Sequence, residues 1–101
     1  MRHPALGLTL DVGHVMCVDE GKLDYHVLRW RDVLWNVHIE DMRRGVHDHL
    51  MFSEGDIDFS EVFAALRAID YQGPVNVELS RHSHDAVEAA RQAFEFLKRF
   101  D

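Results

Sequence analysis

Three short segments of this chain alternate apolar and polar residues, and each is followed by residues of helical period. The first runs from Leu6 to Val12, with leucine at every second position, and Gly13 closes it. The second is Leu34 to Glu40, where Trp35, Val37 and Ile39 oppose Asn36 and His38. The third is Val75 to Leu79, where Val75, Val77 and Leu79 oppose Asn76 and Glu78. A period of two predicts strands with one apolar and one polar face. Strands that alternate with helices predict an α/β fold, with parallel strands joined by right-handed crossovers.

The intervening stretches supply the helices. Asp19-Glu-Gly21 reads as a loop, and Leu23, Val27 and Trp30 then mark one face of a helix over about Lys22 to Asp32. A polar loop is expected from Asp41 to Gly55. Asp58, with Glu61 three residues on, reads as a helix start. Val62, Phe63, Leu66 and Ile69 give that helix its apolar stripe, and Gln72-Gly-Pro74 ends it. The last helix is expected from His84-Asp85, with Val87, Ala90, Phe94 and Leu97 buried.

The polar strand faces carry the chemistry. Asp11, His38 and Glu78 stand on them, each near the C-terminal end of its strand. Neighbouring strands lie about 4.8 Å apart, so three such side chains can converge. Aspartate, histidine and glutamate make a good donor set for a divalent metal. Each residue has a plainer reading too. Asp11 can cap a turn, and His38 taken alone is more often a hydrogen-bonded core histidine. Glu78 among valines is harder to dismiss, because a carboxylate at a core-like position is costly unless paired or coordinated.

Other polar groups gather near these ends. His14 follows Asp11 by three residues and can address the same cavity. Arg43 and Arg44 follow His38 and suit an anionic or hydroxylated ligand, or else a solvated loop. His47 and His49 can be ligands, substrate contacts or surface residues. Arg81, His82 and His84 follow Glu78, and His84 also suits the start of the last helix.

The overall balance narrows the class. Eleven Lys and Arg against 18 Asp and Glu leave a net charge of −7, which argues against a partner held by nucleic-acid phosphates. No apolar run reaches membrane-span length, so no membrane partner is expected. The single cysteine, Cys17, cannot form an internal disulfide, and a cytoplasmic location is the default expectation. No phosphate-binding glycine loop is present.

Four ordered motifs resemble a known family. They are Leu8-Thr-Leu-Asp-Val-Gly-His14, Asn36-Val-His-Ile-Glu-Asp-Met-Arg-Arg-Gly45, the segment from His47 to Phe59, and Val75-Asn-Val-Glu-Leu-Ser80. Together they resemble the last strands of the sugar phosphate isomerase/epimerase family, the xylose isomerase-like TIM barrels. The resemblance implies that residues 1–101 are the C-terminal part of such a barrel, three consecutive βα units out of eight. A complete barrel takes about 250 residues.

The resemblance also implies roles. Asp11, His38 and Glu78 are similar to the family's metal ligands, and Glu78 to the glutamate that exchanges a substrate proton. His14, Arg44, His47 and His49 are similar to its substrate-binding residues. The cofactor implied is a divalent ion (Mn²⁺, Co²⁺, Mg²⁺ or Zn²⁺), and the partner a small sugar or sugar phosphate.

Two departures stand out. The family's second glutamate comes from an earlier strand, and nothing before Asp11 supplies it. The loop's usual glycine-x-glycine reads Ser53-Glu-Gly55. The expectation is thus a metal-assisted isomerase or epimerase fragment, completed by a missing half-barrel or by self-association. The alternatives are a non-catalytic metal-binding fragment and an endonuclease IV-like zinc phosphodiesterase, although that group usually has Asp where His47 stands.

Overall fold

A computed structural model describes residues 3–18 and 21–100, so positions 19 and 20 of the expected Asp19-Glu-Gly21 loop lie outside the described residues. The elements run β1 (Leu8–Asp11), α1 (Val12–Val18), α2 (Leu23–Trp30), β2 (Leu34–Ile39), β3 (Asp41–Arg43), β4 (Val46–Leu50), α3 (Phe59–Ala68), β5 (Val75–Val77) and α4 (Ala86–Leu97). Short 3₁₀ turns at Ser80–Asp85 and Lys98–Phe100 flank α4.

The three expected strands form one parallel sheet in the order β1-β2-β5. Its register sets Asp11 beside His38, and His38 beside Asn76. Glu78 follows two residues after Asn76 and so keeps the same parity, and its backbone N–H donates to Ile39 O at 3.0 Å. The opposite face is apolar, and Val37 and Ile39 on it are fully enclosed. Burying each contributes about 1.5–3 kcal/mol relative to leaving it exposed. Val12, Val15, Val27, Val62 and Leu66 from the helices complete this core, together with an aromatic group of Phe52, Phe59 and Phe96.

The start of α3 is as expected. The Asp58 side chain accepts from Ser60 N at 2.9 Å and from Glu61 N at 3.4 Å, capping the helix.

Five expectations need correction. The first strand is shorter than Leu6 to Val12, because Val12 and Gly13 already belong to α1, and the third ends at Val77, so Glu78 and Leu79 lie just beyond it. The stretch from Asp41 to Gly55 is not a simple loop. It opens with an antiparallel hairpin, β3 on β4, whose polar sequence conceals the strand pattern.

Trp35 does not join Val37 and Ile39 in the core. Its ring lies where a Cβ on Gly7 would stand, and it stays 49% exposed. On α4, Ala89 and Ala93 are buried, whereas Val87 is 87% and Phe94 66% exposed. The helix has two apolar rows, and the alanine row is the one that packs. Residues of both rows, Ala89, Ala90, Ala93, Phe94 and Leu97, line a groove of about 390 Å³ beside β5 with Val77 and Leu79.

Candidate metal centre

Asp11 stands at the junction of β1 and α1 and does two things there. Its Oδ1 accepts from His14 N at 3.0 Å, which caps the first turn of α1. Its Oδ2 lies 2.6 Å from His14 Nδ1. Burial opposes ionisation of Asp11, but the His14 backbone N–H and imidazole outweigh it and hold the carboxyl below its ordinary pKa. The capping reading and the site reading of Asp11 thus both apply to one side chain.

His38 is held from both sides. Its Nδ1 faces Glu78 Oε2 at 3.4 Å, and its Nε2 lies 3.1 Å from Asn36 Nδ2. Asn36 is itself anchored, because Asn76 Nδ2 donates to Asn36 Oδ1 at 2.7 Å. This row of amides along the polar face orients the imidazole, so that Nδ1 points toward the strand ends.

Asp11, His38 and Glu78 each offer a donor atom, and these atoms lie within 4.8 Å of one another. All three side chains are half-buried. Two further sets meet the same limit, Asp11–His14–Glu40 and Glu40–His49–Glu78. Glu40 was not singled out from the sequence. The signal was present, since it follows His38 by two residues and therefore has the same parity. Alternation gives it the polar face, but not the burial and the close carboxyl neighbours that single it out.

Glu40 is fully buried. Burial, with the carboxyls of Asp11 and Glu78 nearby, raises its pKa from the ordinary value of 4.5 to about 9. Its Oε1 lies 3.2 Å from His49 Nδ1, but neither these two atoms nor Oε2 makes an aligned hydrogen bond. Asp41, the next residue and equally buried, is treated in the opposite way. It accepts from the backbone N–H of Met42 (2.9 Å), Ser53 (2.8 Å) and Ile57 (3.2 Å). Asp41 pins the hairpin and the turn after it, which fixes where His47 and His49 stand.

His14, His47 and His49 form a ring cluster, with centroids 4.8 to 5.9 Å apart. His14 Nε2 and His47 Nε2 are 3.1 Å apart. Arg44 is not among these groups. Its backbone N–H donates to Asp56 Oδ2 at 2.9 Å, and it lines a cleft of about 360 Å³ with Val15, Leu23, Asp58 and Glu61.

The donor set suits a divalent cation. Three carboxylates and several imidazoles converge, and one buried carboxyl among them lacks any aligned partner. Such an ion would polarise a carbonyl or hydroxyl brought against it.

Residues 1–100 match the family described as xylose isomerase-like TIM barrel. The chain belongs to that family.

Among xylose isomerase-like relatives, the chain is similar to an L-ribulose 3-epimerase of a Methylomonas species. The two are 31% identical over 98% of this chain and 38% of the relative. It is 33% identical to a ketose 3-epimerase of Arthrobacter globiformis, over 90% of this chain and 29% of that protein. It is also 40% identical to an L-ribulose-5-phosphate 3-epimerase of Salmonella paratyphi C, over 43% of this chain and 15% of that protein. The chain thus spans at most 38% of the length of these curated relatives. No helix among its described residues is long and apolar enough to cross a membrane.

Proposed function

We propose that this chain carries the metal-ligating and proton-transferring side of a sugar or sugar phosphate isomerase or epimerase. The observation that carries the reading is the convergence of Asp11, His38 and Glu78 at the ends of three adjacent parallel strands. The epimerases among the relatives support the reaction class.

Asp11, His38 and Glu78 would hold the ion. When bound, a divalent ion (Mn²⁺, Co²⁺, Mg²⁺ or Zn²⁺) would polarise the substrate carbonyl and an adjacent hydroxyl. Glu78 would take the proton alpha to that carbonyl, as the C–H electron pair moves toward the oxygen. Asn36 holds His38 in register, so the ligand does not turn away as substrate enters. His14, His47 and His49 would face the sugar hydroxyls. Arg44, in its separate cleft, would reach the substrate only at an end distant from the ion.

The test is solvent-deuterium exchange at the alpha carbon of a ketose such as L-ribulose, with the full chain and Mn²⁺ or Co²⁺. Glu78→Gln is expected to abolish exchange, and Arg44→Ala to reduce it less. Comparable exchange in the Glu78→Gln protein would sink the role given to Glu78. Metal binding without any exchange would mark the chain as a binding module instead.

A further inference from the structure

Two adjacent acids, Glu40 and Asp41, are buried at the end of β2, and the fold accounts for one of them. Asp41 takes three backbone N–H groups. Glu40 is 0% exposed; His49 Nδ1 stands 3.2 Å from its Oε1, but neither oxygen makes an aligned hydrogen bond. An unmatched buried carboxyl is costly, and a protein that retains one needs something to face it.

Building on the metal reading above, we propose that Glu40 is a further ligand of the centre, a carboxylate donor supplied from β2 itself. The cation class is a divalent ion that accepts mixed oxygen and nitrogen donors. Glu40 belongs to two of the three donor sets, one with Asp11 and His14, the other with His49 and Glu78. Each pair among Asp11, Glu40 and Glu78 therefore brings donor atoms within 4.8 Å. Three carboxyls this close repel when ionised, and a cation among them reverses the sign of that interaction.

The backbone makes room for this arrangement at Gly13. A Cβ there would stand 2.7 Å from both Cδ and Oε1 of Glu40. Gly13 adopts the ordinary right-handed conformation of α1, so its missing side chain serves this close approach and no unusual turn. Glu40 thereby places a second glutamate beside Glu78.

The experiment is calorimetric titration of the metal-free full chain with Mn²⁺ and with Co²⁺, and metal content after dialysis. Glu40→Gln, which keeps the shape and removes the charge, is expected to weaken binding by at least about tenfold. Gly13→Ala keeps every donor but pushes Glu40 aside, and is expected to weaken binding in the same direction. Alanine is the better helix former, so a loss there does not reflect a weakened α1. Should Glu40→Gln fail to fold, Gly13→Ala decides.

Asp11→Asn separates the two claims. If it weakens binding while Glu40→Gln and Gly13→Ala leave affinity unchanged, the metal reading stands and the role of Glu40 is overturned. If the unaltered chain binds neither ion, both fall.

Discussion

Asn36 stands two residues before His38 on the same face of β2, and its amide lies 3.1 Å from the ring nitrogen that faces away from Glu78. The amide therefore sets the direction of the imidazole without touching the proposed ion. The amide nitrogen can only donate, so Nε2 accepts and a neutral ring keeps its proton on Nδ1, against Glu78. Asn36→Asp, which accepts from Nε2–H and leaves the Nδ1 lone pair to an ion, is expected to raise metal affinity by about tenfold. Calorimetric titration measures it, and unchanged affinity would show that the amide does not set the tautomer of His38.

Ser53 lies at φ 79°, in the left-handed region that favours glycine. It is also the position where the family's usual glycine is replaced. The strain is retained because Asp41 Oδ2 holds the Ser53 N–H at 2.8 Å. Ser53→Gly keeps that hydrogen bond and is expected to raise the unfolding free energy by about 1 kcal/mol. Urea denaturation checks this, and a destabilised variant would show that the Ser53 side chain has a contact of its own to lose.

Glu40 gives the metal-free chain a pH dependence of defined sign. Its pKa is about 9 in the folded chain, against an ordinary 4.5, so between those values the folded state keeps a proton that the unfolded state has released. This contribution to stability is full below about pH 4.5 and declines as pH rises toward 9. Asp11, held below its ordinary 3.8, acts oppositely, and its contribution fades as pH falls through the acid range. Thermal melts of metal-free Glu40→Gln are expected to be flatter between pH 4.5 and 9 than those of the unaltered chain. Parallel curves would place the titrating group elsewhere.

Among the described residues the sheet has unpaired edges at β1 and β5, the groove beside β5 exposes Val77 and Phe94, and Val87 is exposed on the same helix as Phe94. Exposed apolar surface beside a free strand edge favours association. The 101-residue chain alone is expected to self-associate, and Phe94→Glu to shift it toward monomer. Sedimentation velocity reads both. A monomer that unfolds cooperatively would contradict the expectation.

Much of the site was legible because strand alternation is a strict rule. It placed Asp11, His38 and Glu78 on one face before any contact was known, and the register then set Asp11 beside His38 and His38 beside Asn76, two residues before Glu78. The same rule reached Glu40, which stands one residue past β2 as Glu78 stands one past β5, but parity names a face and not the enclosure that buries Glu40. Helical period was weaker on α4, where two apolar rows compete and only the neighbouring elements choose between them. The β3-β4 hairpin had no apolar alternation to reveal it. Backbone pairing and the buried Asp41 carboxyl hold it, and neither leaves a periodic trace.

The order of strands and helices, the polar face and its three metal-type donors follow from the sequence alone, because periodicity and side-chain alternation are local properties of the backbone. Tertiary structure decided what depends on distance. It enclosed Glu40 against Gly13, drew His14, His47 and His49 into one cluster, and set Arg44 in a separate cleft. Those placements depend on how β1, β2 and the hairpin pack across many intervening residues, which no local pattern records.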